Sequence, residues 1–370
     1  MAKGRGFRFG FYLSVLFLLG AVVFFGKAAV FYFSPQDEDL HTPQIVEIRK
    51  GQTPREISKL LVDLGLVSDS SWFFLTGRLA GQWRRVKSGE YRLAADLSPR
   101  EIFSVLTSGN SLPHPFTVRE GENRYEIAAE LEQKGLGHRQ KFLDLSVDPQ
   151  FIRSFSWFQQ DPPATLEGYF FPDTYYLNTS LSEEDLIRLM VKHFFQGWTS
   201  DYDQRSQEVG LNRHQVVTLA SMIEKETGAE EERPLISSVF HNRLKKHMKL
   251  QSDPTTIYGM WERYHGKLSR KDLSEKNLYN TYFVSGLPVG PIGNPGQLAI
   301  RAALYPADSS YLYFVSHNDG THQFSRTLQE HNRAVHIFQL DPKMRVGKSW
   351  RDHLRQKAGP ASLGSESSVH

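Results

Sequence analysis

Cysteine is missing from all 370 residues. That excludes a disulfide framework and any cysteine-ligated metal site. It says little about compartment, since larger exported domains fold without disulfides. An excess of one charge is missing too: 44 Lys+Arg stand against 41 Asp+Glu, a net charge of +3. No global field therefore recruits nucleic acid. There are 14 histidines but no H-E-x-x-H, and His241 and His247 are too far apart for adjacent helical turns. Zinc hydrolysis is a poor fit, and neither metal nor cofactor is expected. Beyond residue 33 no apolar run is long enough to cross a bilayer, so the chain is expected to span a membrane once. What is present is ample: the length suits two or three domains and buries a sizeable core. Aromatics reach 12%, with 25 Phe and 15 Tyr, enough for a large core or an extended sugar-binding groove.

Lys3, Arg5 and Arg8 precede an apolar run from Phe9 to Phe25 whose only polar side chain is Ser14. Lys27 follows, then Ala28, Ala29, Val30 and Phe31-Tyr32-Phe33. About 20 apolar residues cross a bilayer, and this run reaches that length if Lys27 snorkels outward. The expectation is a single-pass anchor over 9–33 in the inner (plasma) membrane. Positive charge ahead of it puts residues 1–8 in the cytoplasm, and Phe31-Tyr32-Phe33 forms an aromatic belt at the far interface. A cleaved signal peptide is the alternative, with Gly26-Lys27-Ala28 as a small-residue site. Either way the rest of the chain is expected to be periplasmic or otherwise extracytoplasmic.

Residues 34–42 read as a polar linker, after which the chain repeats itself. Val46-Glu47-Ile48-Arg49-Lys50-Gly51, Glu56-Ile57, Leu61 and Gly65-Leu66 return as Phe116-Thr117-Val118-Arg119-Glu120-Gly121, Glu126-Ile127, Leu131 and Gly135-Leu136. Each copy reads strand, glycine turn, amphipathic helix, glycine stop. A looser echo links Ser88-Gly89-Glu90-Tyr91 to Glu167-Gly168-Tyr169. The first unit, 43–110, resembles a LysM-like α/β module, a small fold associated with N-acetylglucosamine polymers; a structural spacer is the other reading. The second copy opens a larger mixed domain over 111–340, and the fold class is α+β. From 341 to 370 the chain is polar and reads as a disordered tail.

Asn212 to Gly228 carries the chemistry. Asn212 with Gln215 three residues on is a helix start in which each side chain satisfies the other's backbone N–H. Val216, Leu219, Met222 and Ile223 recur at helical spacing, and Gly228 offers a stop. At roughly 100° per residue, Glu226 falls in the apolar stripe and Glu224 on the opposite side. A carboxylate among apolar neighbours keeps its proton to higher pH, as the general acid of a glycosidase must. Helix geometry alone does not displace the plainer reading, a stripe that ends at Ile223 with Glu226 a solvated last-turn residue. Downstream, Met248 to Gly259 crowds polar side chains into a turn, as binding loops do. Gly286 to Gly296 combines three prolines with four glycines, a fixed geometry that lets backbone approach a ligand closely. Leu166 to Tyr176 is dense in aromatics, with Glu167 and Asp173 as candidates to face a groove; core packing is the plainer reading for most of its rings.

Taken together, Ala220-Ser221-Met222-Ile223-Glu224-Lys225-Glu226, Phe240-His241-Asn242-Arg243-Leu244, Leu250-Gln251-Ser252-Asp253-Pro254-Thr255, Asn280-Thr281-Tyr282, Gly286-Leu287-Pro288 with Gly290-Pro291-Ile292 and Asn294-Pro295-Gly296, and Tyr311 to Val315 with His322, Phe324 and Glu330-His331-Asn332 resemble the endolytic murein transglycosylase family, also called YceG-like. Val289 departs from it, where proline is expected. The resemblance implies an inner-membrane anchor, a LysM-like subdomain and a catalytic domain that cleaves nascent peptidoglycan glycan strands, with coupling to wall-synthesis enzymes. It puts the catalytic carboxylate at the second glutamate of the EKE, Glu226. By motif alone, Gln251, Asp253, Tyr258, Asn280, Tyr282 and Asn294 are the groove candidates that orient the sugar.

The chemistry implied is a lyase reaction at the β-1,4 bond between N-acetylmuramic acid and N-acetylglucosamine. One residue acts as acid and then base, so a second carboxylate is not needed. Two rivals stand beside it. One is a muramidase hydrolase pairing Glu226 with Glu224, Glu167 or Asp253, Glu224 being disfavoured because it lies off the apolar face. The other is a membrane-anchored wall-binding scaffold with no chemistry.

Overall fold

The computed structural model describes residues 3–37, 41–109, 111–178, 181–227 and 229–340, with side chains from Ser14 onward. Gly228 and the segment from 341 lie outside the described residues. The chain falls into two compact units, Met1–Phe116 with Tyr175–Ser182, and Thr117–Thr174 with Glu183–His370.

The first unit begins with α1 (Lys3–Phe33), whose stretch Ser14–Phe33 is long and apolar enough to cross a membrane. Then come β1 (Gln44–Ile48), α2 (Pro54–Asp63), α3 (Ser70–Leu79), β2 (Gly89–Leu93) and α4 (Pro99–Ser108). β1 and β2 pair antiparallel with Val46 opposite Tyr91. Alternation along both strands sends Val46, Ile48, Tyr91 and Leu93 inward against Ile57, Leu61, Phe73 and Phe103. Phe73 and Phe103 stack at 4.4 Å between ring centroids. Gly77 is required there, because a Cβ on it would meet Phe103 at 2.2 Å.

The duplicated sequence gives duplicated geometry. In the second copy β3 (His114–Val118) leads to α5 (Arg124–Gln133) as β1 leads to α2. Thr53 with Glu56 and Asn123 with Glu126 close full capping boxes. The glycines at matched turns, Gly51 (φ +88) and Gly121 (φ +79), occupy the left-handed region open to glycine.

The chain continues with α6 (Arg139–Leu145), α7 (Pro149–Arg153), β4 (Asp173–Leu177, paired with β3), α8 (Glu183–Gly197), α9 (Ser200–Glu208), α10 (Arg213–Glu226), α11 (Arg233–Lys245), α12 (Asp253–Gly259), α13 (Arg270–Leu273) and α14 (Gln297–Leu304). The hairpin β5 (Tyr313–Ser316) and β6 (His322–Ser325) and then α15 (Leu328–Val335) complete a mixed α+β body. Asn212 and Gln215 form the capping box the sequence implies. The stretch from Val216 to Ile223 is buried without interruption, so α10 has no solvent face at its centre. It is packed by α9, α11, α12 and α14. Leu166, Tyr169 and Phe170 are core residues, and Tyr169 packs edge-on against Phe158 and Phe194.

Candidate active site

Glu226 is the last residue of α10 and is partly buried. Its Oε1 accepts a 2.5 Å hydrogen bond from Ser252 Oγ. Burial pushes its carboxyl up from 4.5 to about 7; the Ser252 hydroxyl and the charge of Arg243 oppose the shift, and Asp253 adds to it.

Ser252 is held by the loop around it. Its N–H donates to Thr281 Oγ1 at 2.9 Å, and its carbonyl accepts from Thr255 Oγ1 at 2.6 Å. The Thr255 and Thr281 hydroxyls lie 2.9 Å apart in a dry setting. Arg243, reaching across from α11, donates Nη1 to the carbonyls of Leu250 (2.8 Å) and Lys249 (3.3 Å) and Nε to that of Leu312 (2.7 Å). Its guanidinium lies 5.1 Å from the Tyr313 ring centre, and Tyr313 stacks on His331. Arg243 thus fixes the backbone of the Gln251–Asp253 turn and sets a positive charge near the acid. The EKE motif and the turn that meets it are brought together by this scaffold, and the turn is tight enough to give Gln251 a left-handed φ of +51.

Of the six groove candidates, three surround this point. Asp253 is exposed and accepts from Tyr282 Oη at 2.8 Å; Gln251 is exposed on the same turn. The other three lie in the core with their hydrogen bonds spent on the chain. Asn280 accepts from Thr256 Oγ1 at 3.0 Å and donates to the carbonyls of Leu273 and Glu275. Tyr258 Oη donates to Glu167 at 2.8 Å. Asn294 donates to Glu167 (3.0 Å) and to the Glu122 carbonyl, and accepts from Phe170 N–H. Ser252 is the contact that sequence reasoning did not single out as a site residue; the signal available was its position inside the Gln251–Asp253 motif.

The remaining acids play other parts. Glu224 does not look toward solvent, because Arg233 and the Gly296 backbone cover it. Its Oε1 accepts from Arg233 Nη2 at 2.9 Å, both side chains being 5% exposed, and its Oε2 accepts from Gly296 N–H at 2.9 Å. Glu167 is fully buried and binds the N–H of Arg124, which opens α5, together with Tyr258 Oη and Asn294. Burial raises it to about 7, against the pull of those donors. This carboxyl therefore keeps its proton in the folded chain while the unfolded chain loses it near 4.5. It stabilises fully below that value, and the contribution disappears as pH rises through about 7. Glu167→Gln, which copies the protonated form, is expected to stay within about 1 kcal/mol of the wild type at neutral pH, whereas Glu167→Ala loses about 3 kcal/mol. Urea unfolding of the three proteins checks this; equal losses would show that the network does not read protonation.

The loop from Gly286 to Gly296 divides in two. Gly286 to Val289 line a cavity of about 710 Å³ with Asn212, His214, Gln215 and Thr218, at the opposite end of α10 from Glu226. The second half packs on the chain itself: a Cβ on Gly293 would sit 2.6 Å from the Gly121 carbonyl. The close approach made possible by that glycine is between two backbone segments.

A family model described as the YceG-like family matches residues 46–337. A Bacillus subtilis protein named endolytic murein transglycosylase is 32% identical over 329 residues, covering 86% of this chain and 90% of that protein. A Streptococcus pneumoniae protein of the same name is 27% identical over 357 residues, or 88% of this chain and 64% of that one. The crystal structure of a yceG-like protein from Listeria monocytogenes superposes with a TM-score of 0.55 at 32% identity, covering 79% of this chain and 99% of that one.

Proposed function

This chain belongs to the YceG-like family, and from that membership we propose that it is a lytic transglycosylase, anchored by α1, that cuts nascent peptidoglycan strands from within on the extracytoplasmic side of the inner membrane. The relatives named endolytic murein transglycosylases support the substrate class. The first unit, a strand–helix–helix–strand arrangement, is consistent with a LysM-like glycan-holding role.

The observation that carries the reading is the placement of the Glu226 carboxyl at the end of α10 against Ser252, where burial pushes it up to about 7. Glu226 gives its proton to the oxygen of the MurNAc-β-1,4-GlcNAc bond as the C1–O bond breaks. As a carboxylate it then takes the proton of the muramyl 6-hydroxyl, whose oxygen closes on C1 to leave a 1,6-anhydro end. One proton leaves the residue and one returns, and no water is consumed. The intramolecular hydroxyl supplies the effective concentration that a second catalytic group would otherwise have to arrange. Ser252 holds the acid, Arg243 favours its anionic intermediate form, and Gln251, Asp253 and Tyr282 are the side chains placed to meet the sugar.

The test is digestion of uncrosslinked glycan by the purified full-length chain, with product ends identified by mass spectrometry before and after borohydride. Anhydro ends, untouched by borohydride, are expected. Reducible ends would mean hydrolysis with Asp253 as the second carboxylate, and binding without turnover would mean a scaffold. The rate is expected to fall as pH rises through about 7, where Glu226 loses its proton. Asp253→Asn removes a charge that raises the Glu226 carboxyl, so its alkaline limb should move to lower pH. A limb that stays in place would separate Asp253 from the acid.

A further inference from the structure

α1 is more than a tether. Ala28 is buried, and Phe31 and Tyr32 pack on the core of the first unit, with Tyr32 6.5 Å from Phe103 between ring centroids. The Arg100 guanidinium lies 5.4 Å from the centre of the Phe33 ring. A guanidinium in hydrocarbon costs about 3 kcal/mol or more, so the last turns of α1 stand outside the bilayer core. The apolar stretch left between Arg8 and Lys27 runs from Phe9 to Gly26. It makes about 27 Å of helix at about 1.5 Å per residue, close to the ~30 Å of a bilayer's hydrocarbon. Lys27 therefore marks the extracytoplasmic boundary.

Trp72, on α3, straddles that boundary. Its ring centroid lies 5.5 Å from that of Phe24 and 6.4 Å from that of Phe31. Phe24 is about one turn on the membrane side of Lys27 and Phe31 about one turn on the other. An indole has an apolar body and one N–H donor, which suits the headgroup layer better than either water or hydrocarbon. At 100° per residue, Trp72, Leu75 and Leu79 form an arc beside the core-facing Phe73, Thr76 and Gly77. Leu79, at the end of that arc, is 56% exposed.

We propose that Trp72 is a second membrane anchor, supplied by the folded unit rather than by α1, and that the first unit rests in the headgroup layer of the bilayer that α1 crosses. The proposal rests on the reading of α1 as a retained anchor. The occupant of the Trp72 surface is lipid, because Phe24, against which the indole packs, already lies within the span.

The full chain is reconstituted into phosphatidylcholine–phosphatidylglycerol vesicles, with and without lipid brominated at the headgroup end of the acyl chains, and tryptophan emission is read. Trp72 is one of six tryptophans. Brominated lipid is expected to quench the wild-type chain, and Trp72→Phe to lose most of that quenching. Equal quenching in the two proteins overturns the proposal. Should Trp72→Phe not fold, Ser71→Cys provides the readout: the chain has no other thiol, and an environment-sensitive label on this exposed neighbour should shift to the blue and be quenched by headgroup-proximal spin-labelled lipid. Water-like emission there overturns the proposal as well. Flotation of the same vesicles separates the two levels. A chain that does not float refutes the anchor and the seat together; a chain that floats with Trp72 unquenched refutes the seat alone.

Discussion

Glu226→Gln is expected to lower glycan cleavage by about three orders of magnitude or more, the range general acid–base catalysis supplies, while the protein stays folded. The amide keeps an oxygen for the Ser252 hydroxyl, so the 2.5 Å contact has a replacement. What it lacks is a proton to give and a lone pair basic enough to take one back. The same substitution should stabilise the protein in alkaline solution. Because the folded carboxyl sits at about 7 against an ordinary 4.5, the folded state binds more protons than the unfolded one between those values, and wild-type stability falls as pH rises through that window. The amide does not titrate. Its melting temperature should match the wild type below pH 4.5 and exceed it above neutrality, by the equivalent of about 1–3 kcal/mol. Two measurements decide it: product release from uncrosslinked glycan, and melting curves across pH. Retained turnover would remove Glu226 from the mechanism; parallel melting curves would mean that the carboxyl is not held protonated.

Two residues away, the opposite behaviour is expected. Arg233→Ala should destabilise the second unit by about 3–5 kcal/mol, because it strands the Glu224 carboxylate in a site where, among the described residues, no other cation pairs with it. Arg233 and Glu224 are each 5% exposed and meet at 2.9 Å. The pair is imperfectly furnished, since Arg233 Nε and Nη1 have no hydrogen-bond partner among the described residues. Removing both charges should therefore cost less than removing one, and Arg233→Met with Glu224→Gln is expected to recover most of the loss. At about 2–4 °C per kcal/mol for a body of this size, the single variant melts about 10 °C early. Glu224→Gln assayed at low temperature should still cleave glycan. A Glu224→Gln protein that is folded but inactive would give this residue a chemical part that the ion pair does not.

Why one glutamate of the EKE could be read and the other could not is a matter of range. Capping, the duplicated glycine turns and the helical phase of Glu226 depend on residues within a few positions of one another, and local geometry sets them. By helical phase Glu224 lies on the far side of the helix. That angle does not say what packs there, and Arg233 with Gly296 covers the far side as fully as the apolar stripe is covered. Tyr258 and Asn294 share a motif-like setting with Asp253, yet they meet Glu167 in the core. A polar side chain in a loop looks the same in sequence whether it closes a buried network or faces a ligand.

From its order of residues alone this chain determined where helices begin, which glycines must turn, that one apolar run could cross a bilayer, and that an acid would share a face with Val216, Leu219 and Ile223. Only the tertiary structure decided which donor meets that acid, that Arg243 stands behind the turn carrying Ser252, and that its neighbour Glu224 serves the core. The physical reason is that backbone preferences act between near neighbours. A buried charge, by contrast, is defined by whatever the folded chain brings within a few ångströms, and here those partners stand from 9 positions away, Arg233 for Glu224, to 127, Asn294 for Glu167.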